Sequence, residues 1–181
     1  TLCAAGSFSS ELGNVNQSDC ESCTVGSYCP TGSTMPTACG TGTYSDLPGA
    51  MGCAACAAGT YQDQEQRTAC KTCTLGGYCG VRSSVAKPCN AGSYGNQSGL
   101  QSQEQCITCP EGAACSLGAT EPILCAAGNV ANATGSEECA PCTAGSYQAA
   151  KGQTACETCK AGGYCPTGAV APTLCEAGRY S

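Results

Sequence analysis

Cysteine is the residue type in this chain most able to do chemistry: 21 of 181 positions carry it, and histidine is absent. Thiols at this density can be crosslinked as disulfides, can hold zinc, or can exchange electrons through a C-x-x-C pair. Six C-x-x-C pairs occur, at Cys20/Cys23, Cys53/Cys56, Cys70/Cys73, Cys106/Cys109, Cys139/Cys142 and Cys156/Cys159. Two such pairs can form a four-thiolate zinc site. Each pair here falls at a junction between two sequence modules, and no histidine supports a site, so no metal is expected. A thioredoxin-like role needs a βαβ pattern beside the motif, which the sequence lacks. Catalysis is no better supplied. The commonest general base is missing, and Asp63, Glu65 and Glu157 stand in loop positions without a recognisable partner arrangement. Asp63-Gln64-Glu65 is too sparse in oxygen ligands for calcium. The chain is therefore expected not to be an enzyme and to carry no cofactor. Disulfides remain, and because the cytosol would keep so many thiols reduced, the expected compartment is extracellular.

Three N-glycosylation sequons follow from the same compartment: Asn16-Gln17-Ser18, Asn96-Gln97-Ser98 and Asn132-Ala133-Thr134. All lie in long loops, where exposure is expected. Asn96 and Asn132 share one offset, seven residues after an opening cysteine. Covalent glycans are thus an expected partner. They would also mask exposed backbone edges.

The cysteines are positioned by a repeat. A shift of 86 residues, from Cys3 to Cys89, brings every cysteine of the first stretch onto a counterpart without a gap. Within it a smaller unit, C-x-x-G-x-[YF], opens at Cys3, Cys23, Cys39, Cys56, Cys73, Cys89, Cys109, Cys125, Cys142, Cys159 and Cys175. Its glycine is present every time, from Gly6 to Gly178, and its aromatic nine times: Phe8, Tyr28, Tyr44, Tyr61, Tyr78, Tyr94, Tyr147, Tyr164 and Tyr180. The exceptions are Ala114 and Val130. They read either as drift with looser packing or as places where an outside group packs. The remaining ten cysteines close the modules.

Pairing each opener with the next closer predicts Cys3–Cys20, Cys23–Cys29, Cys39–Cys53, Cys56–Cys70, Cys73–Cys79, Cys89–Cys106, Cys109–Cys115, Cys125–Cys139, Cys142–Cys156 and Cys159–Cys165. Spacing alone cannot fix connectivity, and interleaved pairs such as Cys23 with Cys39 stay open. Cys175 is left unpaired. The period would put its closer near position 192, so the chain, which also lacks an initiator Met and a signal-peptide pattern, is expected to be a mature fragment of a longer protein.

Composition sets what these modules can be. Large apolar side chains are scarce and the hydrophobic fraction is mostly Ala and Cys, so no sizeable hydrophobic core is expected. Each closed loop should instead contribute about 2–3 kcal/mol by restricting the unfolded chain. The expected fold is small, disulfide-rich and mostly irregular. Short β-hairpins, with little or no helix, would follow one another as an elongated tandem-repeat rod. In each hairpin the glycine permits a positive φ, the aromatic begins a strand and covers a neighbouring disulfide, and a turn returns the chain to the closing cysteine. Turns are expected at Leu47-Pro48-Gly49, Asn96–Gly99 and Thr134-Gly135. Modules should touch only their neighbours. The nine-residue connectors after short modules, such as PTGSTMPTA at 30–38, should be stiffened by their proline. The organisation read from the period is a first super-repeat of five modules over 1–88, a second over 89–174, and the start of a further module over 175–181.

Strings such as CAAGTY (56–61), CNAGSY (89–94), CTAGSY (142–147) and GSYCPTGS (26–33) resemble the ephrin-receptor-like cysteine-rich repeats, a style shared with tumour-necrosis-factor-receptor and growth-factor-receptor repeats. The resemblance covers essentially the whole chain. It implies an extracellular, non-catalytic, elongated architecture. Such repeats form receptor stalks in animals, and arrays of this flavour are similar to surface and flagellar-hair proteins of unicellular eukaryotes.

Two functional readings follow. One is a glycosylated structural segment of a filament, mastigoneme-like flagellar hair or surface coat, assembling with itself or with other extracellular proteins. The alternative is the stalk or ligand-binding ectodomain of a membrane receptor. Net charge is −6 and the seven basic residues are scattered, so nucleic acid is not expected as a partner. No run of 18 apolar residues could cross a membrane. The surface is expected to be polar and poor in large apolar patches.

Overall fold

The computed structural model describes residues 2–11 and 16–176. The motif residues Gly178 and Tyr180, and with them nearly all of the module opened by Cys175, lie outside the described residues. Among those described there is no α-helix. Twenty two-residue strands form ten two-stranded sheets, and single 3-10 turns occur at Gln17–Asp19 and Gln103–Gln105. The fold is thus a tandem array of short hairpins, each with its own disulfide.

Each hairpin grows from one local pattern. Three residues after the opener the chain turns through the motif glycine, whose φ lies between +74° (Gly76) and +90° (Gly6). A side chain there would be strained, which is why the position admits only glycine. The next two residues, the second being the aromatic, form the outgoing strand. In the first module Ser7 faces Ser22 and Phe8 faces Glu21. In the module opened by Cys56, Thr60 faces Thr72 and Tyr61 faces Lys71.

The return strand is not inside the disulfide loop. It consists of the two residues between closer and next opener, the x-x of each C-x-x-C: Glu21–Ser22, Ala54–Ala55, Lys71–Thr72, Ile107–Thr108, Ala140–Pro141 and Glu157–Thr158. After a short module it is the end of the nine-residue connector, as at Thr37–Ala38 and Ile123–Leu124. The last two residues of each connector are therefore the return strand of a hairpin. A ring such as Cys23–Cys29 is too short to hold both strands.

Three backbone hydrogen bonds tie each module to the next. The opener N–H donates to the preceding motif glycine, as in Cys73 to Gly59 at 2.9 Å. The motif glycine N–H donates to the residue six past the next opener, as in Gly59 to Cys79 at 2.7 Å. A turn residue nine or ten past an opener donates to the preceding opener's carbonyl, as in Gly49 to Cys23 at 2.8 Å. That turn residue has positive φ at Gly32, Gly49, Gly99, Gly118, Gly135, Gly152 and Gly168, and also at Gln66 (58°) and Arg82 (61°). The turns expected at 47–49, 96–99 and 134–135 are among them.

Contact is not confined to neighbours. A Cβ on Gly6 would overlap the carbonyl oxygen of Gly49, two modules on, and the same holds for Gly26 with Gln66, Gly42 with Arg82, Gly59 with Gly99 and Gly112 with Gly152. The motif glycine thus serves twice, for its φ and for the close passage of a second-neighbour backbone. This departs from the nearest-neighbour array expected from the repeat. The two-residue strands are so short that the turn of one hairpin reaches past the next.

The chain divides into two compact units, Thr1–Thr74 with Tyr78–Lys87 and Ser98–Ser102, and Leu75–Gly77 with Pro88–Gln97 and Gln103–Ser181. In the first, the fully buried side chains are cystine sulfurs at Cys23, Cys29, Cys39, Cys56, Cys73 and Cys79, with Ser27. In the second, Tyr94 packs on Cys109, Ala113 and Cys115, while Tyr147 packs with Cys165 and Ala169. Each ring lies on the next module's disulfide. Because cystines fill the interior, aliphatic side chains stand outside: Met35, Met51, Val81 and Leu174 are among the exposed ones. The surface is therefore less uniformly polar than the composition led us to expect.

Candidate functional sites

The bridges are Cys3–Cys20, Cys23–Cys29, Cys39–Cys53, Cys56–Cys70, Cys73–Cys79, Cys89–Cys106, Cys109–Cys115, Cys125–Cys139, Cys142–Cys156 and Cys159–Cys165. Each joins an opener to the closer that follows it. The two cysteines of every C-x-x-C belong to different bridges, with the return strand between them. Cys175 is free and half-buried. Among the described residues no three His, Cys, Asp or Glu side chains are gathered in a metal-holding group.

The sequon asparagines Asn16, Asn96 and Asn132 are all exposed. Asn96 and Asn132 precede the turns at Gly99 and Gly135 by three residues, on the outer rim of their loops. Ala114 and Val130, at the aromatic positions of two modules, are half-buried and pair with Ile123 and Ala140 across their hairpins.

Two of the acidic residues singled out in the sequence, Asp63 and Glu157, are drawn into side-chain pairs. Asp63 accepts a hydrogen bond from Lys71 Nζ at 2.6 Å, and the ammonium also sits 5.9 Å from the Tyr61 ring centroid. The Lys71 hydrogen bond holds the Asp63 carboxyl below the usual carboxylate range. Glu157 accepts a hydrogen bond from the Tyr147 hydroxyl at 2.7 Å, and that bond, helped by desolvation, pushes the phenol above its ordinary value. Glu65 is exposed, apart from both pairs. These are surface ties of modest strength, and neither places a second acid or base at a reacting distance.

Sequence reasoning missed the glutamines. Gln62 is 2% exposed and Gln148 5%. Each spans its loop, donating to Ala69 or Ala155 and accepting from the N–H of Gln64 or Ala150. Gln17 and Gln103 likewise strap their modules, accepting from the N–H of Ala4 or Asn90 and donating to Ser7 or Ser93. The signal was available, since each pair of glutamines is one 86-residue period apart. An amide that can donate and accept at once is what a coreless loop needs to satisfy its backbone.

Fold and sites together define a disulfide-stapled, tandem-hairpin repeat of the kind built for the outside of cells. The family model described as tyrosine-protein kinase ephrin type A/B receptor-like matches residues 42–87 and 128–175, just over half of the chain. The chain belongs to this ephrin-receptor-like family. The two matched stretches begin at Gly42 and Gly128, one period apart. No curated protein is similar to the chain in sequence. The repeat is a non-catalytic type of module, and its bridges and family mark an extracellular or surface domain. Among the described residues no helix is long and apolar enough to cross a membrane.

Proposed function

We propose that the chain is a glycosylated structural segment of an extracellular assembly: a filament, a mastigoneme-like flagellar hair or a surface coat. The observation that supports this reading is the recurrence, module after module, of the same three backbone hydrogen bonds in step with an 86-residue period. A period of equivalent scaffold places its loops and strand edges at regular intervals, which is what repeated lateral contacts along a fibre require. The partners would be further copies of the chain or other extracellular proteins. Contacts would be many and weak, with glycans at Asn16, Asn96 and Asn132 on the exposed loops. A second reading, the stalk of a membrane receptor, is favoured by the family's receptor-like description. Electron microscopy of the native protein, taken from its source without reduction, separates them. Fibres with a regular axial repeat support the assembly, whereas single particles ending in a detergent-covered domain overturn it and favour the stalk.

A further inference from the structure

Among the described residues nine turn positions require a positive φ, and seven of them are glycine. Gln66 and Arg82 are not, although a side chain there is strained by about 1–2 kcal/mol. Strain that a repeat avoids elsewhere asks what the side chain does in exchange. Arg82 gives an answer in its surroundings. Its Cγ lies 3.3 Å from where a Cβ on Gly42 would stand, so its side chain is laid across the motif glycine of the module opened by Cys39.

There it lines an open depression of about 500 Å³ with Tyr28, Gly40, Thr41, Thr43 and Gly52, all within the first compact unit. The volume is in the range of small-molecule sites. Gly40 and Gly52 leave their backbone uncovered, since a Cβ on either would meet nothing within 4 Å. The lining holds no carboxylate and no large aliphatic side chain. Among the described residues the Arg82 guanidinium has no hydrogen-bond or ion-pair partner, and the Tyr28 hydroxyl is likewise unpaired. In a chain of net charge −6 an arginine left unpaired in a concavity is a standing site for an anion.

The chain carries its own control. One period on, the counterpart of Arg82 is Gly168, that of Tyr28 is Ala114, that of Thr41 is Ala127 and that of Gly52 is Glu138. The turn reverts to glycine, with φ +74°, where the counterpart of the lining aromatic is absent and an acid has appeared. Strained arginine and aromatic partner are present together or missing together.

We propose that this depression binds a carboxylate-bearing sugar, with the Arg82 fork on the carboxylate, the Tyr28 ring against the sugar's C–H face and the glycine backbone beneath. A planar guanidinium meets a carboxylate bidentately, and a tyrosine offers both an apolar face and a polar tip. A sugar fits better than an acidic peptide because the lining has no apolar pocket to hold an anchoring side chain. The proposal does not depend on whether the chain forms filaments or a stalk.

The test uses the full non-reduced chain on an immobilised series of glucuronate-terminated and sialate-terminated glycans and their neutral counterparts, with free glucuronate as competitor. The expected result is retention on the acidic glycans alone. R82G should weaken it at least tenfold, Y28A should weaken it less, and Q66G should leave it unchanged. R82G and Q66G should both raise the unfolding midpoint, showing that the lost binding is not lost folding. Equal retention of R82G and wild type, or no retention of wild type on any acidic glycan, overturns the proposal. Retention on an acidic peptide but on no glycan does so as well.

Discussion

The modules opened by Cys56 and Cys142 occupy equivalent places one period apart, and they differ in instructive ways. Both have a buried glutamine across the loop, a 14-residue bridge separation and a tyrosine on the outgoing strand. Across from that tyrosine, however, stands Lys71 in one and Glu157 in the other. The first turns the tyrosine into a face for a cation, with Asp63 completing the pair, and the second makes it a hydrogen-bond donor to an anion. The turn residue is strained Gln66 in one and relaxed Gly152 in the other. What stays constant is everything that satisfies backbone or carries a bridge. What varies is what faces solvent. A scaffold held by cystines and main-chain hydrogen bonds leaves its surface free to change sign without refolding.

The largest expected effect sits at the motif glycine of the first of these modules, set against a turn glycine that also has positive φ. Gly59 and Gly49 both have positive φ, but a Cβ on Gly59 would stand 2.5 Å from the Gly99 carbonyl oxygen, while one on Gly49 comes no closer than 3.8 Å to the Gly6 carbonyl oxygen. G49A should therefore cost only the conformational strain, about 1 kcal/mol, whereas G59A adds backbone overlap for a total of about 3 kcal/mol. Denaturant unfolding of the non-reduced variants measures both. Equal losses would show that the second-neighbour approach contributes nothing.

A smaller effect is expected at the turns. Q66G should stabilise by about 0.5–1 kcal/mol, because glycine relieves the positive φ at some cost in unfolded-state entropy. G152Q should destabilise by a similar amount.

The smallest effects are in pH dependence. The lowered Asp63 value makes its tie to Lys71 a stabilising contribution that is present above the ordinary carboxylate range and fades as pH falls through the lowered value. The raised Tyr147 value acts at the other end. Its contribution is present below about pH 10 and fades as pH rises through the raised value. K71A should remove only the acid-side contribution and E157Q only the alkaline one. Ultraviolet absorbance of the Tyr147 ionisation should shift downward in E157Q, and an unmoved titration would break the contrast between the modules.

Much of the fold was legible because cysteine spacing and glycine are strong, local constraints. The positive φ at Gly6, Gly59 and Gly128 follows from the motif itself, as does the strand beginning beside each aromatic. The return strand was misplaced because the two residues inside a C-x-x-C carry no consistent strand signature. Glu21–Ser22 and Ala54–Ala55 have neither branching nor alternation, and they pair only because the flanking bridges put them there. The depression beside Arg82 was invisible for a similar reason, since Tyr28, Thr41 and Arg82 come from three different modules.

The sequence by itself determined the chemistry of the staples, the period, the hairpin class and the extracellular character, because each depends on residue type at short range. Only the tertiary structure decided that modules meet at second neighbours, that glutamines rather than aliphatics fill the loops, and that Arg82 and Tyr28 line one depression. Those outcomes depend on where backbone carbonyls converge in space, and with a core of cystine instead of large side chains, no hydrophobic pattern along the chain records that convergence.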